Sequence, residues 1–73
     1  MRLRCRLELG YRSAREAEVV AESLRVDDEA YIRTTVRGRT LISEAEADSF
    51  GSLLHTLEDY LACVSVAEKV LRG

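Results

Sequence analysis

The feature that most restricts this chain is an apolar stripe that runs unbroken through its C-terminal part. Phe50, Leu53, Leu54, Leu57, Tyr60, Leu61, Val64, Ala67 and Leu71 recur at steps of three and four residues, the spacing that lines one face of an α-helix. The chain contains no proline, and acidic Glu46 and Asp48 precede the stripe, where they suit the positive end of a helix dipole. The spacing predicts a helix from about Ala47 to Leu71. At ~1.5 Å per residue it would measure ~37 Å, whereas a six-residue strand covers ~20 Å. Its C-terminal turns are therefore expected to overhang the sheet beneath them. There the apolar surface also widens, because Cys63, Val66 and Val70 form a second row beside Val64, Ala67 and Leu71. Two destinations stand for that surface: the other helix of the same subunit, or a second molecule, which a helix apolar on two sides favours.

Upstream the period changes from three and four to two. Leu3, Cys5, Leu7 and Leu9 alternate with Arg2, Arg4, Arg6 and Glu8, the signature of a half-buried strand that ends at Gly10. Ser13 and Glu16 have the spacing of a capping box, which starts a helix there. Ala14, Ala17, Val20, Ala21 and Leu24 give that helix a narrow stripe rich in alanine, suited to lying close on a sheet. Asp27 and Asp28 mark its exit. Ile32, Thr34 and Val36 alternate with Tyr31, Arg33, Thr35 and Arg37, predicting a second strand from Ala30 to Val36, and Gly38 supplies a turn. The returning strand is expected over Thr40 to Ala45, with Leu41, Ser43 and Ala45 facing in and Ile42 and Glu44 facing out.

The order is β-α-β-β-α: an α+β fold with a three-stranded antiparallel sheet and two helices packed on one face, the second helix long. With 73 residues and no repeat, low-complexity tract or long linker, residues 1–73 read as a single domain. A domain of this size buries only about 60% of its unfolded surface. The sheet has two edges and no proline to block pairing, so a homodimer is expected. Hydrophobic residues make up 47% of the chain and the net charge is only −2, which excludes a disordered tail; no apolar run reaches the roughly 20 residues of a membrane span. The alternating N-terminus lacks the continuous apolar core of an export signal, so the expected location is cytoplasmic. In that compartment Cys5 and Cys63 are expected to be reduced.

Charge is segregated. The segments 1–12 and 30–43 each sum to +3, and 13–29 and 44–73 each to −4. Arg2, Arg4, Arg6, Arg33 and Arg37 fall on the outward side of the strands and Arg39 in the turn, making these six the candidate RNA contacts through phosphate. The other reading is a solvated face on which arginines pair across strands with Glu8 or Glu44. Tyr31 is the one aromatic residue on that face, too few for stacking several bases.

No catalytic constellation emerges. His55 is the single histidine, too few for paired-histidine metal motifs. Cys5 and Cys63 form no C-x-x-C pair. Positions 55 and 63 are ~12 Å apart along a helix, and the adjacent Glu58 and Asp59 diverge in direction. No phosphate-binding glycine motif is present. The residues thus nominate no catalytic group, no metal ligand and no cofactor.

The stretch Ala21-Glu22-Ser23-Leu24-Arg25-Val26-Asp27, followed by a hairpin through Val36-Arg37-Gly38, resembles the small Pcc-type subunit of the KEOPS (EKC) tRNA-modification complex. Ser52-Leu53-Leu54-His55-Thr56-Leu57, then Tyr60-Leu61, then Val66-Ala67-Glu68-Lys69-Val70-Leu71 look like the archaeal form of that subunit's last helix. The chain departs from the pattern at Glu58-Asp59, where many relatives carry Asn-Ser. The resemblance implies a noncatalytic homodimeric scaffold that holds the complex's catalytic ATPase-like subunit by helix packing and, through it, the associated kinase. It further implies support for threonylcarbamoyladenosine modification of tRNA beside the anticodon. The partner-binding surface it implies comprises Tyr60, Cys63, Val64, Val66, Ala67, Val70 and Leu71. A second functional class competes: a stand-alone RNA-binding module that uses the basic outer face of the sheet.

Overall fold

The computed structural model describes residues 2–25 and 32–72. The elements are β1 (Leu3–Gly10), α1 (Ala14–Arg25), β2 (Ile32–Arg37), β3 (Thr40–Ala47) and α2 (Phe50–Arg72). The order is the expected one, and the sheet is wholly antiparallel with β3 in the centre, β1-β3-β2. The expected exit at Asp27 and Asp28, the strand start at Ala30 and the placement of Tyr31 all lie outside the described residues.

Each strand forms where the alternation is clearest. Leu3, Cys5, Leu7 and Leu9 are half-buried beneath the helices while Arg4, Arg6 and Glu8 are exposed. Leu41, Ser43 and Ala45 of β3 are buried on the same side. The β2–β3 hairpin closes through Gly38 and Arg39, between the paired residues Arg37 and Thr40. Gly38 has φ 61°, the left-handed conformation that a primed two-residue turn requires at its first central position.

The end of β3, the start of α2 and the cap of α1 differ from the sequence expectation. The strand β3 continues to Ala47, so Glu46 belongs to the sheet and not to the first turn of a helix: it lies opposite Arg4, and Arg2 and Arg4 both bind its carboxylate. Ser49 instead caps α2, its Oγ accepting the Ser52 amide at 3.2 Å and its carbonyl the Leu53 amide at 3.1 Å. At α1, the Ser13 Oγ accepts the Glu16 amide at 3.2 Å, but Glu16 reaches back to the amide of Arg12 instead of that of Ser13. Ile42 points outward as expected, yet it is buried, because in the central strand it is flanked by Glu8 and Thr35.

The core lies between the sheet and both helices. Ala17, Val20, Ala21 and Leu24 of α1 are buried, whereas Ala14 at the helix start is exposed. These small side chains let α1 settle on β2 and β3, while Tyr60, Val64 and Ala67 of α2 join Val20, Ala21, Leu24 and Leu41 in one apolar cluster. A buried polar hub pins α2 to the sheet: the Tyr60 hydroxyl shares hydrogen bonds with Thr34, at 3.1 Å, and with Ser43. Thr34 and Ser43 are directly opposite each other in the ladder. Every buried side-chain nitrogen or oxygen among the described residues has a partner, as folding stability demands.

Candidate partner and nucleic-acid surfaces

Helix α2 is anchored at its C-terminal end instead of overhanging there. The Tyr11 hydroxyl donates to Glu68 at 2.7 Å, and Leu71 packs half-buried against the core. The seven residues of the implied partner surface accordingly divide. Tyr60, Val64 and Ala67 face inward and are buried in the chain's own core. Cys63, Val66 and Val70 are exposed, Val66 by 62% and Val70 by 77%. Leu71 lies between the two groups.

The stripe read as core is also incompletely covered. Phe50 is 72% exposed, and Leu54 and Leu61 are exposed too, whereas Leu53 is buried and Leu57 half-buried. At about 100° per residue, Phe50, Leu54 and Leu61 fall on one flank of the buried face. Cys63, Val66 and Val70 fall on the opposite flank, nearer the C-terminus. The helix therefore offers two apolar strips, one on each side of the seam it makes with its own subunit. The width of the stripe was the signal for the first strip, since a single sheet face cannot cover an arc that includes both Leu53 and Leu54.

On the outer face of the sheet, register decides what the arginines can do. Arg6 and Arg33 both lie opposite Glu44, one from each side. Glu46 takes Arg2 Nε at 2.8 Å and Arg4 Nε at 3.1 Å. Four of the six candidate RNA contacts are thus set beside a carboxylate of the central strand. Arg37 lies opposite Thr40, and Arg39 is in the turn. Such exposed pairs contribute little stability, but they remove positive potential from the face.

His55 lies on the exposed side of α2 with its Nε2 3.4 Å from Asp59, one helical turn away. Among the described residues no group of three histidine, cysteine, aspartate or glutamate side chains could hold a metal ion. No helix among the described residues is long and apolar enough to cross a membrane. The Tyr11–Glu68 bond is not legible in the sequence, because Tyr11 follows the strand in a segment without periodicity. Burial, and then the hydrogen bond from its hydroxyl to Glu68, push the Tyr11 hydroxyl well above the usual tyrosine range.

A search of curated proteins found no match. The family model described as "Transcription factor Pcc1" matches residues 4–72, nearly the whole chain, and that family is a noncatalytic subunit of the KEOPS/EKC complex with a role in tRNA modification. The match begins within β1 and ends at the last residue of α2, so it takes in both helices, β2, β3 and all of β1 but its first residue, and the chain belongs to the Pcc1 family.

Proposed function

We propose that this chain is a noncatalytic dimerisation and scaffold subunit of the KEOPS complex. It acts in the cytoplasm as a homodimer, holds the catalytic ATPase-like subunit by helix packing and, through that subunit, the associated kinase. In this role it supports threonylcarbamoyladenosine modification of tRNA next to the anticodon.

The observation that carries the reading is the exposed strip of Cys63, Val66 and Val70 on α2. Two exposed valines one turn apart on a helix already seated on its sheet are the kind of surface a partner helix covers. Tyr60, Val64 and Ala67 support that strip from below, and Leu71 borders it. Dimerisation is supported by the free outer edges of β1 and β2 and by the small core of a domain this size.

The ion pairs of Arg2 and Arg4 with Glu46, and the place of Glu44 in register between Arg6 and Arg33, weigh against a stand-alone module that binds RNA through the outer sheet face. The test is purification of the tagged chain from a native-like host at moderate salt, with mass spectrometry of what stays bound in stoichiometric amount. Recovery of the catalytic and kinase subunits supports the scaffold; recovery of RNA alone, or of nothing, contradicts it.

A further inference from the structure

The topology gathers cations at one end of the molecule that are far apart in sequence. Gly10 of β1 and Arg37 of β2 both lie opposite Thr40, so the Gly38–Arg39 turn sits at the end where β1 hands over to α1. There the Tyr11 amide donates to the Arg39 carbonyl at 2.9 Å. The last turns of α2 reach the same place, held by the Tyr11–Glu68 hydrogen bond. Arg12 and Arg72 line one open groove of about 420 Å³ with Gly10, Tyr11, Glu16 and Glu68.

Six cations collect at this end: Arg12 and Arg15 at the start of α1, Arg37 and Arg39 at the hairpin, with Arg37 at the end margin of the outer sheet face, and Lys69 and Arg72 in the last turn of α2. All six are exposed. The ion pairs among the described residues involve Arg2, Arg4 and His55 and none of these six. The nearby acids are engaged as acceptors, Glu68 by the Tyr11 hydroxyl and Glu16 by the Arg12 amide. They line the groove, so phosphates would ride on its cationic rim and not enter it. Lys69 and Arg72 also offset the negative end of the α2 dipole, but Arg12, Arg15, Arg37 and Arg39 have no such duty.

We propose that this end of the molecule, and not the outer face of the sheet, binds the phosphodiester backbone of a structured RNA. The choice of RNA among polyanions rests on the role in tRNA modification; the location rests on the topology. Exposed guanidinium groups without carboxylate partners release counterions from phosphate on contact, and the cost of breaking an existing pair does not arise. The contact carries no base readout: a single aromatic side chain, Tyr11, lines the groove, and its hydroxyl is held by Glu68.

The test is binding of a fluorescently labelled, unmodified tRNA transcript to the full chain by anisotropy over a salt series. Replacing Arg12, Arg39 and Arg72 together by Gln is expected to weaken binding at least about tenfold and to lower the salt slope by about 2–3. The same treatment of Arg4, Arg6 and Arg33 is expected to cost less than about threefold, since Arg4 is bound to Glu46 and Arg6 and Arg33 share the field of Glu44 between them. Circular dichroism checks folding, and should the first variant melt early, Arg15→Gln with Lys69→Gln carries the test at the same end. Equal binding by wild type and end variants, a larger loss from the sheet variant, or no binding by wild type at low salt overturns the proposal. Co-purification of protein partners with the end variants separates this failure from failure of the scaffold reading, because the strip at Val66 and Val70 is untouched.

Discussion

The Tyr11 hydroxyl donates a 2.7 Å hydrogen bond to the Glu68 carboxylate, joining the start of the chain's first loop to the end of its last helix. Replacing Tyr11 by Phe should cost about 1.5–2 kcal/mol, the low end of the range for a bond to a charged group because the site is only partly buried. The Tyr11 hydroxyl is raised above its ordinary value of 10.0 by burial and then by Glu68. The folded state thus holds this proton more tightly than the unfolded state, so the stabilisation is complete below pH ~10 and declines above it. Urea midpoints measured from neutral to alkaline pH should fall more steeply above that point in wild type than in Tyr11→Phe.

A second test concerns the hub beneath the sheet. Tyr60→Phe would leave the buried hydroxyls of Thr34 and Ser43 without their shared partner, a loss of about 1–3 kcal/mol. Adding Ser43→Ala and Thr34→Val to that variant should recover part of the loss, because apolar groups of similar shape need no partner. Chemical denaturation of the four proteins measures it.

The neighbours Leu53 and Leu54 give a sharper contrast than any distant pair. Leu53 is 8% exposed and Leu54 48%. Leu53→Ala should cost about 2–4 kcal/mol through lost burial and a residual cavity. Leu54→Ser, at the uncovered strip, should stay within about 0.5 kcal/mol. Thermal melts that show equal losses would contradict the placement of the α2 seam.

Glu44 stands in register with both Arg6 and Arg33. Glu44→Lys should put three like charges in one row and destabilise the sheet by about 0.5–1 kcal/mol at low salt. The penalty should shrink in 0.5 M salt, where exposed charges are screened within a few ångströms. Melting temperatures at the two salt concentrations check both statements.

Where the chain's pattern had one cause, the structure follows it closely. The alternation of Leu3, Cys5, Leu7 and Leu9, and the alanine stripe of α1, each report burial against one neighbour and were legible. The boundary between β3 and α2 was not, because Glu46 suits a strand paired with Arg4 as well as it suits a helix start; only the register distinguishes them. Helical spacing also assigns Leu53 and Leu54 to one stripe, although the seam with the sheet passes between them. The same limit applies to Tyr60, Val64 and Ala67, which share a periodicity with Cys63, Val66 and Val70 but face the core. The basic end was out of reach for a further reason: Arg12, Arg39 and Arg72 meet only once the topology has folded the hairpin, the α1 start and the α2 end together.

The central claim, that α2 docks the catalytic subunit through its exposed C-terminal strip, is tested most directly by co-expressing the two chains. The tagged small chain would carry either its own sequence or Val66→Glu with Val70→Glu, and the amount of partner retained would be measured. Both valines are exposed, so the variant should keep the wild-type circular dichroism and melting temperature while its partner is lost from the eluate. A folded variant that retains the catalytic subunit in wild-type amount would contradict the account.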